Sequence, residues 1–314
     1  MVLGSKDLTH VPLDEQEHPN DHERVHEKTG RRPLSQSPRK KKETDPALMD
    51  FELSRDINLQ TEVQHQIEIL GLKKQALPVW KIWVLGTLSG LWMSIAATFA
   101  NMAASSIGDG VTKYVPVAPK FVVSIFAPVA MYFIVVFGGE FYSGNCMFLS
   151  VGWFKGKLTT IQVLINWIQC FLANSLGCII GIWMFASLTE LFQDEDQIEF
   201  LKRNAEAKQH VGMWLSFIRG IPANLMICTS IQMGISARDM QGKLIVLHFP
   251  LMMYTVCGFE HALTNMVVVP LGIAYGAQVN IGSWLLTNII PAAIGNAIGG
   301  GLIIGGGGTP LFNW

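Results

Sequence analysis

The chain has 314 residues; half of them are hydrophobic, 15% are charged and 30 are glycine, and the formal net charge is −1. This composition is typical of integral membrane proteins and excludes an ordinary soluble enzyme. The charged residues are concentrated before Lys74, whereas the chain from Pro78 onwards is largely apolar. The average composition of the chain therefore combines two different kinds of sequence, a polar one and an apolar one.

The first segment, residues 1–75, is polar and has prolines at positions 12, 19, 33, 38 and 46. Without long apolar stretches it cannot bury enough surface to offset the chain entropy lost on folding. We therefore predict a largely disordered tail over residues 1–75 and a six-helix membrane domain over residues 76–314.

Six apolar segments of the membrane domain reach the roughly 20 residues that a helix needs to cross the hydrocarbon core. They are residues 79–102, 121–152, 160–188, 211–234, 243–274 and 281–304. The second and fifth segments are too long for one straight helix and carry glycine and polar residues at their centres. The predicted fold class is an all-α membrane protein with six spans, of which the second and fifth are broken.

An even number of spans places both ends of the chain on the same side of the membrane. Lys and Arg are slightly more numerous in the loops on that side than in the loops on the other side. An excess of Lys and Arg is typical of cytoplasmic loops. The pattern therefore predicts that both ends are cytoplasmic.

The two broken segments share a motif that recurs in the same order. They read Gly139-Glu140-Phe141-Tyr142-Ser143-Gly144-Asn145 and Gly258-Phe259-Glu260-His261-Ala262-Leu263-Thr264-Asn265. About thirty residues later come Asn174-Ser175-Leu176-Gly177 in the first half and Asn296-Ala297-Ile298-Gly299 in the second. Corresponding elements are three spans apart, so the two repeats, about residues 78–190 and 208–305, are predicted to be inverted in the membrane.

Broken helices at corresponding positions of inverted repeats indicate a transport pathway, because unpaired backbone survives at membrane depth only where it lines a cavity. The positive N-terminal ends of the resumed half-helices favour an anion over a cation. We expect Glu140 and Glu260 to tie the broken backbone together, with Gly139, Gly144 and Gly258 as further structural residues at the breaks.

From about Pro78 to its end, the chain resembles the formate/nitrite transporter family. The resemblance rests on Gly258-Phe259-Glu260-His261 with Thr264-Asn265-Met266, on Pro222-Ala223-Asn224-Leu225-Met226-Ile227-Cys228, and on Asn288-Ile289-Ile290-Pro291 with Ile294-Gly295-Asn296. It implies an aquaporin-like fold of two inverted three-helix repeats, and a homopentamer with one pore in each subunit.

The resemblance also implies a pore with a central histidine between two hydrophobic constrictions. His261 matches that histidine, Ser143 replaces the family's threonine, Lys208 matches a lysine at the outer end of the fourth helix, and Asn224 matches a pore asparagine. The expected substrate pathway comprises His261, Ser143, Asn224, Lys208, Thr264 and Asn265. The expected constriction residues are Met131, Ile227, Tyr254, Ala127 and Phe126. Ala127 stands where the family would have a phenylalanine, and Phe126 lies beside it.

Arg219 is a second departure, because it places a charge within the fourth span. Charged residues inside the membrane usually have a function. The three interpretations are that Arg219 lines the pore, faces a neighbouring subunit or extends to the membrane surface. His248 has no comparable motif around it and is expected to be structural.

The expected chemistry follows from the cost of burying charge. A bare carboxylate costs on the order of tens of kcal/mol to move into a medium of low dielectric, whereas the neutral acid has no such penalty. We expect Lys208 to raise the anion concentration at the mouth, and the acid to cross in its neutral form. His261 either donates the neutralising proton directly or, as a neutral imidazole, hydrogen-bonds the passing substrate, and burial favours the neutral form at rest.

The sequence thus predicts transport of small monocarboxylates, such as formate and lactate, together with a proton. Nitrite or hydrosulfide transport is the alternative within the family, and a neutral-solute channel of the aquaporin type is a weaker one because neither break has an Asn-Pro-Ala motif. A receptor or scaffold has no need of the inverted repeats, and motifs of membrane enzymes are missing. The expected partners are the bilayer, the anion, the proton and four further copies in the plasma membrane, without cofactor, metal or nucleic acid.

Overall fold

The computed structural model describes residues 57–311. The predicted tail up to residue 56, and residues 312–314, lie outside this part. The described chain is built mainly from α-helices: α1 Gln60–Gln75, α2 Val79–Ser105, α3 Gly108–Tyr114, α4 Ala118–Phe126, α5 Val129–Val136, α6 Tyr142–Phe154, α7 Thr160–Ile182, α8 Glu195–Gln209, α9 Met213–Ser236, α10 Met240–Cys257, α11 Ala262–Ala274, α12 Ile281–Trp284, α13 Ile290–Ala297 and α14 Gly307–Leu311. The π-helical segments Trp183–Ser187, Leu285–Ile289 and Ile298–Gly306 continue α7 and join the last three helices.

Among the described residues, four stretches are long and apolar enough to cross a membrane alone: Val79–Ser105, Ala118–Val136, Thr160–Ser187 and Ile281–Leu311. Two bent pairs bring the number to six, with α8 and α9 at 105° and α10 and α11 at 59°. We assign the first of these crossings to α9 because α8 is rich in charged residues. The six-span fold is confirmed.

Both predicted breaks are present and follow the same backbone path. The first break, residues 137–141, separates α5 from α6, and the second break, residues 258–261, separates α10 from α11. Gly138 and Gly258 have φ angles of +71° and +68°, a left-handed conformation that glycine adopts without steric cost. Phe141 and His261 are both extended, with φ and ψ of −133° and 120° and of −109° and 118°. The two breaks therefore form one structural motif used twice.

An asparagine from a neighbouring span closes each break. Asn174 accepts from the Tyr142 N–H at 2.9 Å and donates to the carbonyls of Gly86 and Glu140 at 2.9 and 2.8 Å. Asn296 accepts from the Ala262 N–H at 3.0 Å and donates to the carbonyls of Gly220 and Glu260 at 2.7 and 3.0 Å. These bonds satisfy backbone groups that the break leaves unpaired, as membrane depth requires.

Glycines let the first and third spans of each repeat approach closely. A Cβ atom at Gly177 of α7 would collide with the Thr87 carbonyl of α2, and one at Gly299 would collide with the Ile221 carbonyl of α9. Small residues at such contacts are typical of helix packing in membranes, where close backbone approach replaces the hydrophobic effect.

The boundary predicted at residue 75 differs from the structure, because α1 is an ordered helix packed against α6. Its Val63, Ile67 and Gly71 are buried, and an added Cβ at Gly71 would collide with the Phe148 carbonyl. The segment looks polar because only a narrow stripe of this helix is apolar. We call the side of the membrane that carries α1 the α1 side, and the opposite side, which carries α8, the α8 side.

Glu68 attaches α1 to the loop between α6 and α7. Its carboxylate accepts from Lys155 at 2.7 Å and also from Lys157. Burial alone would raise the pKa of the Glu68 carboxyl, but the two lysines outweigh burial, so that the pKa is lowered. The attachment is therefore complete above the ordinary carboxyl pKa of about 4.5 and is lost as the pH falls through the lowered value.

Replacing Glu68 by glutamine is expected to weaken the docking of α1 by about 1–2 kcal/mol at neutral pH, because two charge-assisted hydrogen bonds are lost. Hydrogen exchange of the α1 backbone amides measures this, with His65→Gln on the exposed face of α1 as the matched control. The difference between Glu68→Gln and the native chain should shrink as the pH falls below the lowered pKa. Equal exchange in the two proteins at pH 7 would contradict the prediction.

Candidate functional site

The half-helices α6 and α11 begin beside each other, and His261 lies at their junction with 1% of its surface exposed. Its Nε2 atom is 2.5 Å from the Ser143 hydroxyl, and its Nδ1 atom accepts from the Thr264 backbone N–H at 3.3 Å. Because a backbone N–H can only donate, Nδ1 has no proton and Nε2–H donates to Ser143. The hydrogen bonds therefore assign a neutral imidazole with its proton on Nε2.

A cavity of about 30 Å³ lies against His261, with room for one or two water molecules. Its polar lining consists of His261, Thr264 and Tyr254, and the rest is apolar. The Thr264 hydroxyl is 3.0 Å from Nδ1 and 3.4 Å from the Tyr254 hydroxyl. The cavity thus offers a few uncharged hydrogen-bonding groups within an apolar wall.

A second cavity, of about 320 Å³, opens on the α1 side. Met131 and Phe141 line both cavities, so these two side chains form the wall between them. Phe141 also lies against the His261 ring, at 5.9 Å between ring centroids. A solute that moves from the larger cavity to His261 has to pass this wall.

A buried carboxylate stands at each break with the same set of partners. Glu140 accepts from Lys74 at 2.6 Å and from Asn145 at 2.8 Å, and Asn145 also donates to Asn166 at 3.0 Å. We call these four residues the first cluster. It connects the first break to α1 and α7.

The second cluster repeats this arrangement on the α8 side. Glu260 accepts from Lys208 at 2.8 Å and from Asn265 at 2.6 Å, and Asn265 also donates to Asn288 at 2.7 Å. Both carboxylates are 2% exposed. Each is paired with a lysine, so neither cluster places an isolated charge in the protein.

The structure brings three of the six predicted pathway residues together, namely His261, Ser143 and Thr264. Ser143 and Thr264 contact His261 directly, and the cavity beside it is lined by four of the predicted constriction residues. Those four are Met131, Ile227, Tyr254 and Ala127.

Other predicted residues lie outside both cavities. Phe126 packs edge-on against Phe99, with ring centroids 4.9 Å apart, because its side chain points away from the junction. Asn224 donates to the carbonyls of Ser143 and Asn296, and Asn265 belongs to the second cluster. Lys208 is ion-paired rather than free. Arg219 is exposed and lines neither cavity.

Sequence reasoning missed Phe141, Lys74 and the asparagines Asn166 and Asn288. The repeat contained the signal for Phe141, because alignment of Glu140 with Glu260 places Phe141 opposite His261. Lys74 lies in the segment predicted to be tail, so that its pairing with Glu140 required α1 to be recognised as a helix.

A family model described as "Formate/nitrite transporter" matches residues 61–307. The chain belongs to the formate/nitrite transporter family. Membership in a transporter family confirms the expectation that the chain is not an enzyme. The match begins within α1, in agreement with the packing of this helix against the formate/nitrite transporter core.

Relatives in this family come from eukaryotic microbes and from bacteria. "Formate-nitrite transporter 2" of Toxoplasma gondii is 29% identical over 239 residues, which cover 75% of this chain and 51% of that protein. "Formate channel FocA" of Escherichia coli is 26% identical over 272 residues, 80% of this chain and 93% of that protein. The chain thus spans about half the length of the Toxoplasma relative.

Solved structures show the same fold. An "FNT family ion channel" superimposes with a TM-score of 0.71 at 18% identity, covering 79% of this chain and 97% of that one. A "Pentameric formate channel with formate bound" superimposes with a TM-score of 0.62 at 23% identity, covering 72% and 94%.

Proposed function

We propose that the chain transports small monocarboxylates, such as formate and lactate, together with a proton. The observation that carries the proposal is the neutral, fully buried His261 at the junction of the two half-helices, beside a narrow cavity that lacks any charged lining residue. Such a passage admits a neutral acid far more readily than its anion. The net event is the movement of one anion and one proton.

The route has three steps. A monocarboxylate enters through the cavity on the α1 side near Lys74, or from the α8 side near Lys208, and the positive ends of α6 and α11 favour an anion. It gains a proton as it loses its water. The neutral acid then passes Met131 and Phe141, and exchanges hydrogen bonds with His261 and Thr264.

In this scheme His261 forms hydrogen bonds to the neutral acid as it passes. Its Nε2–H and the Ser143 hydroxyl form one chain with the Thr264 and Tyr254 hydroxyls. Each hydroxyl can rotate to donate or accept, so the chain can follow an acid group as it passes. A lasting charge on the imidazole is unnecessary.

The proposal includes a homopentamer in the plasma membrane, with the α1 side facing the cytoplasm. The fold match to a channel described as pentameric supports the assembly, and the slight excess of Lys and Arg on the α1 side supports the orientation. Lys74 and Lys208 are then the cytoplasmic and external lysines, respectively.

The proposal is tested by uptake of labelled formate and lactate into vesicles across an imposed pH gradient. Uptake by the native chain should rise with acidity on the side of entry, and His261→Ala should lower it at least tenfold at equal protein in the membrane. His248→Ala is the matched control, since His248 lies outside both cavities. Uptake that ignores both pH and His261 would refute the mechanism, and pH-independent nitrite or hydrosulfide uptake would favour the alternative substrates.

A substitution at Ala127 tests which size of substrate the pathway admits. It lines the small cavity beside His261, so that Ala127→Phe should fill space that lactate needs and formate does not. We expect lactate uptake to fall at least tenfold relative to formate uptake. Phe126→Ala, which alters the neighbouring residue outside the cavity, should leave the ratio of the two rates unchanged. An equal loss of both substrates in Ala127→Phe would contradict this assignment.

A further inference from the structure

The cavity on the α1 side carries more positive charge than its ion pair accounts for. Three lysines and one glutamate line it, namely Lys73, Lys74, Lys243 and Glu140. Lys74 is paired with Glu140 at 2.6 Å. Within residues 57–311, the ammonium groups of Lys73 and Lys243 have no ionic or hydrogen-bonding partner. Two uncompensated cations therefore face this cavity.

The two unpaired lysines come from different helices. Lys73 is in the last turn of α1 and is exposed, so it lies at the rim of the cavity. Lys243 is in the first turn of α10 and is half-buried. Its stem packs on α9, with Cγ 3.8 Å from the position that a Cβ atom would take at Gly234. The packing of three helices thus fixes where the two cations stand.

The rest of the cavity is apolar and larger than a small monocarboxylate needs. Its volume of about 320 Å³ is roughly ten times the share of one water molecule in the liquid. Apart from Asn145, the remaining side chains of its lining are apolar, among them Leu70, Ile134, Phe148 and Ile231. A ligand that matches this lining has two negative charges separated by hydrocarbon.

We propose that this cavity binds small dicarboxylates, such as succinate, as dianions through Lys73 and Lys243. Each carboxylate accepts charge-assisted hydrogen bonds from one ammonium group, and the hydrocarbon between the carboxylates lies against the apolar lining. A monocarboxylate compensates only one of the two cations. Inorganic phosphate carries comparable charge but has no apolar part to bury.

A bound dicarboxylate blocks the entrance because it cannot follow the substrate. In the proposed function an acid passes Met131 and Phe141 only after it has become neutral, and a dicarboxylate has to take up two protons to do so. At neutral pH both of its carboxyl groups are ionised, since ordinary carboxyl pKa values are well below 7. The blockade rests on the proposed function, whereas the binding of the dianion does not.

Isothermal titration calorimetry of the purified protein with succinate tests the binding. The variant Lys73→Met/Lys243→Met should bind succinate at least tenfold more weakly than the native chain, and Lys73→Arg/Lys243→Arg should retain most of the affinity. Lys81→Met, which removes an exposed lysine that does not line the cavity, is the matched control and should bind as the native chain does. Equal binding by the native chain and the double methionine variant, or phosphate binding as tight as that of succinate, would overturn the proposal.

Uptake of labelled formate into vesicles tests the blockade. An impermeant maleimide that reacts with Lys81→Cys identifies the α1 side, in a Cys257→Ser background because Cys257 is the exposed cysteine of the described chain. Saturating succinate on the α1 side should lower formate uptake at least fivefold, and succinate on the α8 side should leave it unchanged. Equal inhibition from both sides, or uptake of labelled succinate itself, would overturn the blockade.

The two experiments separate this site from the proposed function. Succinate binding that depends on Lys73 and Lys243, in a protein that takes up no acid, would support the site and refute the proposed function. Proton-coupled acid uptake without succinate binding would overturn the site and leave the proposed function intact.

Discussion

Replacing Asn296 by alanine is expected to destabilise the protein by roughly 4 kcal/mol and to lower the amount of folded protein sharply. The side chain makes three hydrogen bonds to backbone groups of α9, of the second break and of the start of α11. Each buried partner left without a hydrogen bond costs about 1–3 kcal/mol. The loss is large because no water is available at this depth to replace the amide.

Thermal unfolding of the purified protein measures the effect. Asn174→Ala should give a similar loss, because Asn174 makes the corresponding three bonds at the first break. Ser175→Ala is the matched control, since the Ser175 hydroxyl bonds only to a carbonyl of its own helix at 2.9 Å. Stability unchanged in Asn296→Ala would mean that the breaks are supported by other contacts.

Replacing Lys208 by methionine is expected to have the second large effect, a loss of roughly 3 kcal/mol and of most transport. The change leaves Glu260, which is 2% exposed, without its cation. Removing one partner of a buried ion pair costs more than removing both. The Lys208 side chain is 23% exposed, which places the expected loss at the lower end for buried pairs.

The double replacement Lys208→Met/Glu260→Gln should therefore be more stable than Lys208→Met alone. Thermal unfolding and acid uptake of the four proteins of this cycle give the coupling between the two residues, expected at about 2 kcal/mol. The matched cycle for Lys74 and Glu140 should give a similar coupling on the α1 side. Additive effects in both cycles would rule out the ion pairs as structural supports. Native stability and native transport in Glu260→Gln would rule out the Glu260 carboxylate as a structural support.

The six spans, both breaks and the inverted repeats follow from the sequence, because long apolar segments and the recurrence of Gly, Glu and Asn are local patterns. His261 and Ser143 could be placed at the junction for the same reason. The direction of a side chain cannot be derived in this way. Phe126 and Ala127 are adjacent in the chain, yet only Ala127 lines the cavity.

Long-range pairing explains the remaining differences. Lys74 and Glu140 are far apart in the sequence, and their contact depends on α1 packing against α6. That helix has few apolar residues, and its contact with the membrane domain rests on a narrow stripe with Val63, Ile67 and Gly71 and on the bonds of Glu68. A composition-based boundary therefore assigned it to the tail, although its charged residues Glu68 and Lys74 help to attach it.

The first and second clusters have the same residue types in the same arrangement, each connected to one break and each on a different side of the membrane. In the proposed route an acid from either side meets a lysine paired with a glutamate and the positive end of a half-helix, so these groups favour neither direction. We therefore expect the net direction of flow to follow the combined gradients of acid and proton, so that one protein can load or empty a cell.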